Sequence, residues 1–241
     1  MGSVLPGCSR VAFFGGSFDP PHLGHIAIAR AAKQSLGLDR VLFAPVGLQP
    51  LKPSGPSASF EDRVAMTRLA ITSQPGFEIS LLDAPNLDAP NPAGEHPANA
   101  APNYTFDTLT KLRQSQPEDA CLFLLLGADS FRTIHHWYRA SDIPFLANLI
   151  VASRPGEDLS NPSVYLPSGI EAAEIPNQPN HYLVTNPTGE QSPLTILPDL
   201  NYDISATQLR LQIQGPSGKE SQLLDPAVLN YIRHHHLYEQ P

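Results

Sequence analysis

The chain has 241 residues, 41% hydrophobic and 16% charged, which is enough for one sizeable α/β domain or two small ones and argues against wholesale disorder. Fifteen Lys plus Arg against 23 Asp plus Glu leave a net charge of −8, which argues against a protein held mainly by nucleic-acid phosphates but leaves room for a small phosphorylated ligand. Two cysteines, Cys8 and Cys121, cannot build a disulfide scaffold or a cysteine-based zinc site, and no apolar run approaches the roughly 18–20 residues of a membrane helix.

No cationic, apolar leader precedes the first apolar run, so the chain reads as cytoplasmic. Arg10 to Phe14 is a buried strand ending in Gly15-Gly16, and Leu23 to Leu36 is a helix stopped by Gly37. Arg40 to Val46 is a second strand, and strand–helix–strand with short connections is the parallel crossover unit. Phe60 to Ile71 is an amphipathic helix with Glu61 and Asp62 in its first turn, where the helix dipole favours acids. Phe77 to Leu82 is a strand, Phe106 to Arg113 a helix, Cys121 to Leu126 a central strand apolar on both faces, and Asn148 to Ala152 another strand. Helices at Ser205 to Gln214 and Pro226 to His235 close the chain. The pattern is α/β, a Rossmann-like doubly wound parallel sheet with C-terminal helices. Residues 1–241 read as one domain, with Pro-rich surface insertions near 83–103 and 157–198.

The densest chemistry lies between the first strand and the first helix, in Gly15-Gly16-Ser17-Phe18-Asp19-Pro20-Pro21-His22-Leu23-Gly24-His25. In a parallel sheet this loop sits at the carboxyl edge of the strands, with the N–H groups of the next helix aimed outward. Gly15 and Gly16 allow close backbone approach and angles that a side chain would forbid. His22 and His25, three apart at the helix start, form a donor pair for phosphate oxygens. No Gly-x-Gly-x-x-Gly is present, and Gly215 to Glu220 has the wrong spacing for a phosphate loop. Near the C-terminus, Ile204-Ser205-Ala206-Thr207-Gln208-Leu209-Arg210 offers Ser205 as N-cap, while Thr207 and Arg210 project from one side of the helix. A guanidinium there can fork onto a triphosphate tail.

The two strings resemble the His-x-Gly-His and Ile-Ser-x-Thr-x-x-Arg signatures of the nucleotidyltransferase superfamily. Asn103-Tyr104-Thr105-Phe106-Asp107-Thr108-Leu109, Leu126-Gly127-Ala128-Asp129-Ser130, His136-Trp137, Arg154-Pro155-Gly156 and the ending Tyr231-Ile232 to Leu237-Tyr238 are similar, in order and context, to the bacterial nicotinate-nucleotide adenylyltransferases. The resemblance implies transfer of the adenylyl group of ATP to nicotinate mononucleotide, giving deamido-NAD and pyrophosphate in NAD biosynthesis. It implies His22, His25 and Arg210 as catalytic residues, and Gly15, Gly16, Ser17, Phe18, Gly24, Ile204, Ser205 and Thr207 on the ATP side. On the acceptor side it implies Lys52, Tyr104, Thr105, Asp129 and Trp137, with the pyridine ring stacked on Trp137 and backbone donors of the Tyr104-Thr105 turn on its carboxylate. Taken alone, Trp137 also fits a core tryptophan, Asp129 a helix cap and Lys52 a solvated surface lysine.

No Ser-His-Asp set, cysteine nucleophile or carboxylate cluster points to a covalent intermediate, so direct in-line attack on the α-phosphorus is the expected course. Mg²⁺ is expected to arrive on ATP, with no dedicated metal site in the chain. The expected partners are ATP and nicotinate mononucleotide, without nucleic acid or membrane, and homo-oligomerisation is left open. The chain departs from the family at Pro21, where Ile or Val is usual, and at Leu51-Lys52, which lacks a preceding His. The remaining alternatives are the same chemistry on nicotinamide mononucleotide or another phosphorylated acceptor, and a noncatalytic nucleotide-binding module. His234-His235-His236 reads as a helix end, because consecutive helical residues point about 100° apart and cannot converge on one ion.

Overall fold

The computed structural model describes residues 8–49, 55–85, 102–153, 156–198, 204–213 and 222–239. The elements follow in order as β1 (Arg10–Gly16), α1 (Leu23–Leu36), β2 (Arg40–Pro45), α2 (Phe60–Ile71), β3 (Phe77–Ile79), α3 (Thr105–Ser115) and β4 (Cys121–Gly127). Then come α4 (Ala128–Arg132), α5 (Ile143–Leu146), β5 (Asn148–Ala152), β6 (Glu171–Glu174), β7 (His181–Thr185), β8 (Gln191–Leu197), α6 (Ala206–Ile213) and α7 (Pro226–His234). The strands form one sheet in the order β3-β2-β1-β4-β5-β8-β7-β6. Its centre is parallel, from β1 through β4 and β5 to β8, and β6, β7 and β8 pair antiparallel at one end. This is the α/β sheet that the alternation of apolar runs and amphipathic stretches implies.

The described residues fall into two compact units, one drawn from Met1–Phe14, Ala29–Val41 and Thr105–Asn201, the other from Gly15–Ile28, Leu42–Tyr104 and Tyr202–Pro241. The first is organised around β4, in which Leu122 to Leu126 are all buried. Phe123 faces Asn148 and Gly127 faces Ala152 in the β4–β5 register, and Leu149 faces Leu194 in the β5–β8 register. Burying each such aliphatic side chain contributes about 1.5–3 kcal/mol. Leu109 and Leu112 give α3 its buried face. The free thiols Cys8 and Cys121 meet where the strands β1 and β4 begin, their sulfurs 2.8 Å apart.

Residues 157–198, expected from their prolines as a surface insertion, supply three strands of the sheet. In β8 exposed and buried residues alternate from Gln191 to Leu194, so Pro193 points outward while Ser192 and Leu194 point in. Asn186 turns the β7–β8 hairpin: its Oδ1 accepts hydrogen bonds from the N–H groups of Thr188 and Glu190, and Gly189 takes the left-handed φ of +85°. The outermost strand β6 is covered at its middle, where the Ser163 hydroxyl accepts from the Ala172 N–H at 2.8 Å and donates to the Ala172 carbonyl at 3.2 Å.

In the second unit, Ser59 caps α2 by accepting the Asp62 N–H at 3.0 Å, and Asp225 caps α7 by accepting the Ala227 N–H at 2.8 Å. The Tyr231 hydroxyl donates to Asp62 at 2.9 Å and ties α7 to α2. In the first unit, Gly37, at φ +58°, ends α1 as a left-handed cap, with the Leu38 N–H returning to the Lys33 carbonyl. The histidine triplet ends α7, with His234 its last residue and His236 at φ +52°. Among the described residues no helix is long and apolar enough to cross a membrane.

Candidate functional site

The second unit holds most of the residues singled out on the nucleotide side. Gly15 and Gly16 end β1, and the loop then runs through Ser17, Phe18 and Asp19 to α1. The backbone strain expected at the glycines falls instead on Phe18, whose φ is +47°. A bulky residue in this region costs on the order of 1 kcal/mol or more and persists only where packing enforces it. Phe18 is buried against Phe43 at 5.6 Å and edge-on to His25 at 5.0 Å. Gly16 is small for the same reason, since a Cβ there would lie 3.2 Å from the Phe18 ring.

His22 is buried and His25 half-buried, and their rings stack with centroids 3.7 Å apart. The His22 N–H donates to His25 Nδ1 at 3.1 Å, so a neutral His25 carries its proton on Nε2. The expected outward-facing amides at the start of α1 are partly occupied: the Leu23 N–H donates to the Leu223 carbonyl at 2.9 Å. Gly24 is buried between the two histidines in sequence.

Ile204 is buried, and Ser205 caps α6 through a long hydrogen bond from the Gln208 N–H at 3.4 Å. Thr207 and Arg210 lie on one side of α6, as their spacing implies, with Arg210 Nη2 3.4 Å from Thr207 Oγ1. Arg210 Nη1 donates to the Asp19 main-chain carbonyl at 2.7 Å, which brings the two sequence motifs together across 191 residues of chain.

Sequence reasoning assigned no role to Asp19, Arg63 or Tyr238. The Asp19 carboxylate is buried, with Oδ1 accepting from the Ala58 N–H at 3.1 Å and the Tyr238 hydroxyl at 2.8 Å, and Oδ2 from the Ser57 N–H at 2.6 Å. Arg210 Nη1 lies 3.6 Å from Oδ2. Burial, the Asp19 charge and the hydrogen bond to it push the Tyr238 hydroxyl well above its ordinary range, so Tyr238 donates as a neutral phenol. Arg63, buried on α2, donates from Nη1 to the Ser17 carbonyl at 2.7 Å; burial lowers its pKa, opposed by the charge of Asp19. The available signal was a cation on the buried face of α2, at i, i+4 and i+7 with Thr67 and Ala70.

On the acceptor side, Tyr104 is half-buried just before α3. Asn103 accepts the Leu48 N–H on Oδ1 and donates from Nδ2 to the Ala84 carbonyl, both at 3.1 Å, while its own N–H reaches the Leu48 carbonyl. A Cβ on Gly47 would lie 2.9 Å from Asn103 Oδ1 and 2.7 Å from the Pro85 nitrogen, so that position requires glycine. Lys52 and Arg154-Pro155 lie outside the described residues, as does 86–101 of the first Pro-rich stretch.

Thr105, Asp129 and Trp137 belong to the first unit. Thr105 opens α3, and Asp129 is exposed in the first turn of α4. Trp137 follows a 3₁₀ turn at Ile134–His136, its N–H returning to the Ile134 carbonyl at 2.9 Å. It is half-buried and so is not a core tryptophan. Arg139 lies 3.9 Å over the Phe106 ring and pairs with Asp142 at 2.7 Å.

The cytidylyltransferase-like family matches residues 13–212. A "Probable nicotinate-nucleotide adenylyltransferase" of Trichlorobacter lovleyi is 34% identical over 230 residues, covering 95% of this chain and 99% of the relative. One of the same name from Laribacter hongkongensis is 35% identical over 237 residues, covering 98% and 97%. The structure of Plasmodium falciparum nicotinic acid mononucleotide adenylyltransferase complexed with NaAD has the same fold, with a TM-score of 0.66 at 16% identity over 95% of this chain and 97% of that one.

Proposed function

The chain belongs to the cytidylyltransferase-like family and, within it, to the nicotinate-nucleotide adenylyltransferases, and from that premise we propose that it transfers the adenylyl group of ATP to nicotinate mononucleotide, releasing deamido-NAD and pyrophosphate. The observation that carries this reading is the hydrogen bond from Arg210 to the Asp19 carbonyl, which sets the second motif's cation against the loop that carries His22 and His25.

A phosphate oxygen of the mononucleotide attacks the α-phosphorus of ATP in line, and the bond to the pyrophosphate oxygen breaks. His22, His25 and Arg210 offset the charge on the reacting phosphorus and on the departing pyrophosphate. Gly15, Gly16, Ser17, Phe18, Gly24, Ile204, Ser205 and Thr207 shape the ATP side, and no protein nucleophile takes part. Trp137 gives the pyridine ring a flat apolar partner, while Tyr104 and Thr105 supply backbone donors to its carboxylate. Asp129 contacts the acceptor, and the family resemblance gives Lys52 the same role.

Nucleotidyltransferases of this kind work with a divalent metal and ATP. In this reading the metal would be Mg²⁺ brought in with ATP, where it would offset charge on the triphosphate, and no residue of this chain is assigned to hold it. The reaction belongs to the cytoplasm.

Pyrophosphate release from MgATP, measured side by side with nicotinate and nicotinamide mononucleotide, tests the reading. A strong preference for the acid is expected. Equal use of both would overturn the acceptor assignment, and release with neither would overturn the activity.

A further inference from the structure

Beyond the histidines and Arg210, the second unit contains a buried carboxylate whose four partners come from three separate segments of chain. Asp19 follows β1 by three residues, Ser57 and Ala58 precede α2, Arg210 lies on α6, and Tyr238 follows α7. Every one of these partners presents a proton to Asp19, and Arg210 touches both its main-chain carbonyl and its carboxylate. The other hydrogen bond of the Arg210 guanidinium among the described residues is the long one to Thr207. The direction of Arg210 is therefore set by Asp19, and the direction of Asp19 by two backbone N–H groups and one phenol.

We propose that Asp19 and Tyr238 are positioning residues for adenylyl transfer: Tyr238 fixes the Asp19 carboxylate, and Asp19 holds Arg210 in the orientation that receives the triphosphate. The inference rests on the reading of Arg210 as a triphosphate ligand. It gives Tyr238, near the end of the described residues, an indirect part in nucleotide binding, exerted through its hydrogen bond to Asp19. Substitution by Asn is not conservative at position 19, because the amide replaces one carboxylate oxygen by NH2, which then faces either the Ser57 N–H or the Ala58 and Tyr238 donors, and it also removes the charge opposite Arg210. Tyr238→Phe is the milder probe, since it keeps the ring and removes a single donor.

A double-mutant cycle on MgATP binding, followed by titration calorimetry, separates positioning from mere structural support. Tyr238→Phe is expected to weaken MgATP binding about fivefold, the loss of one hydrogen bond to a charged group felt indirectly. In an Arg210→Ala background the same change should weaken binding less than about twofold, since a positioning residue has nothing left to act through. Asp19→Asn should weaken it more than Tyr238→Phe does. Tyr231→Phe, which breaks a comparable phenol–carboxylate bond to Asp62, should leave MgATP affinity unchanged. Equal losses with and without Arg210, no loss in Tyr238→Phe, or tighter binding in Asp19→Asn would each overturn the inference. A wild-type chain that binds no MgATP would overturn the reading of the site itself, whereas binding with an additive cycle would overturn the positioning role alone.

Discussion

The loop from Ser17 to His25 and the strands from Glu171 to Leu197 make opposite use of the chain. In the loop, Asp19 and His22 are buried polar groups, Phe18 is held at an unfavourable φ, and the partners of Asp19 arrive from as far as 219 residues away. In the strands, burial is mainly aliphatic, through Val184, Leu194 and Ile196, and ladder hydrogen bonds join neighbouring segments. On the proposed reading, one region holds the catalytic residues at a cost in stability, and the other contributes stability and no site residue. The difference implies that substitutions should separate cleanly into those that change turnover and those that change melting.

The largest expected effect lies in the loop. His22→Ala or His25→Ala should lower kcat by about 10²–10³, the usual cost of removing a transition-state donor, while circular dichroism shows an intact fold. Unchanged turnover in both variants would break the comparison on its functional side. The next effect lies in the strands. Leu194→Ala, at a fully buried position between β5 and β7, should cost about 3 kcal/mol and lower Tm by about 6–12 °C. The kcat of the folded fraction should stay at the wild-type value, and a loss of kcat below the melting transition would contradict the division.

Smaller effects sharpen it. Trp137→Ala should raise the KM for nicotinate mononucleotide about tenfold and leave the KM for ATP near wild type, as the loss of one ring-stacking surface predicts. Steady-state kinetics with each substrate varied in turn reads this directly. Ser163→Ala removes the hydroxyl that both donates to and accepts from Ala172, and should cost about 0.5–1 kcal/mol, visible as a small drop in denaturation midpoint with no kinetic change.

How much of this is legible in the sequence follows from how local each feature is. The helices α1 and α2 keep the boundaries expected from apolar spacing, Gly37 and the acidic first turn of α2, because caps and periodicity act within a few residues. The strands β6 to β8 escape notice because Pro193 and the run of prolines around them read as breakers, while the alternation that decides the matter spans only a few positions. The histidines and Arg210 are readable as residue types in a motif. The network that directs Arg210 is not, since Asp19, Ser57 and Tyr238 become neighbours only when distant segments fold together. Gly16 was read for backbone freedom, whereas it makes room for the Phe18 ring.

In the proposed mechanism this chain catalyses by positioning, with the mononucleotide phosphate as the only nucleophile. The most direct test is the stereochemical course at the α-phosphorus, followed with ATP carrying a chiral α-thiophosphate and read in the deamido-NAD product by phosphorus NMR. A single in-line displacement predicts inversion of configuration. Retention would require two displacements through an adenylylated side chain and would contradict the account.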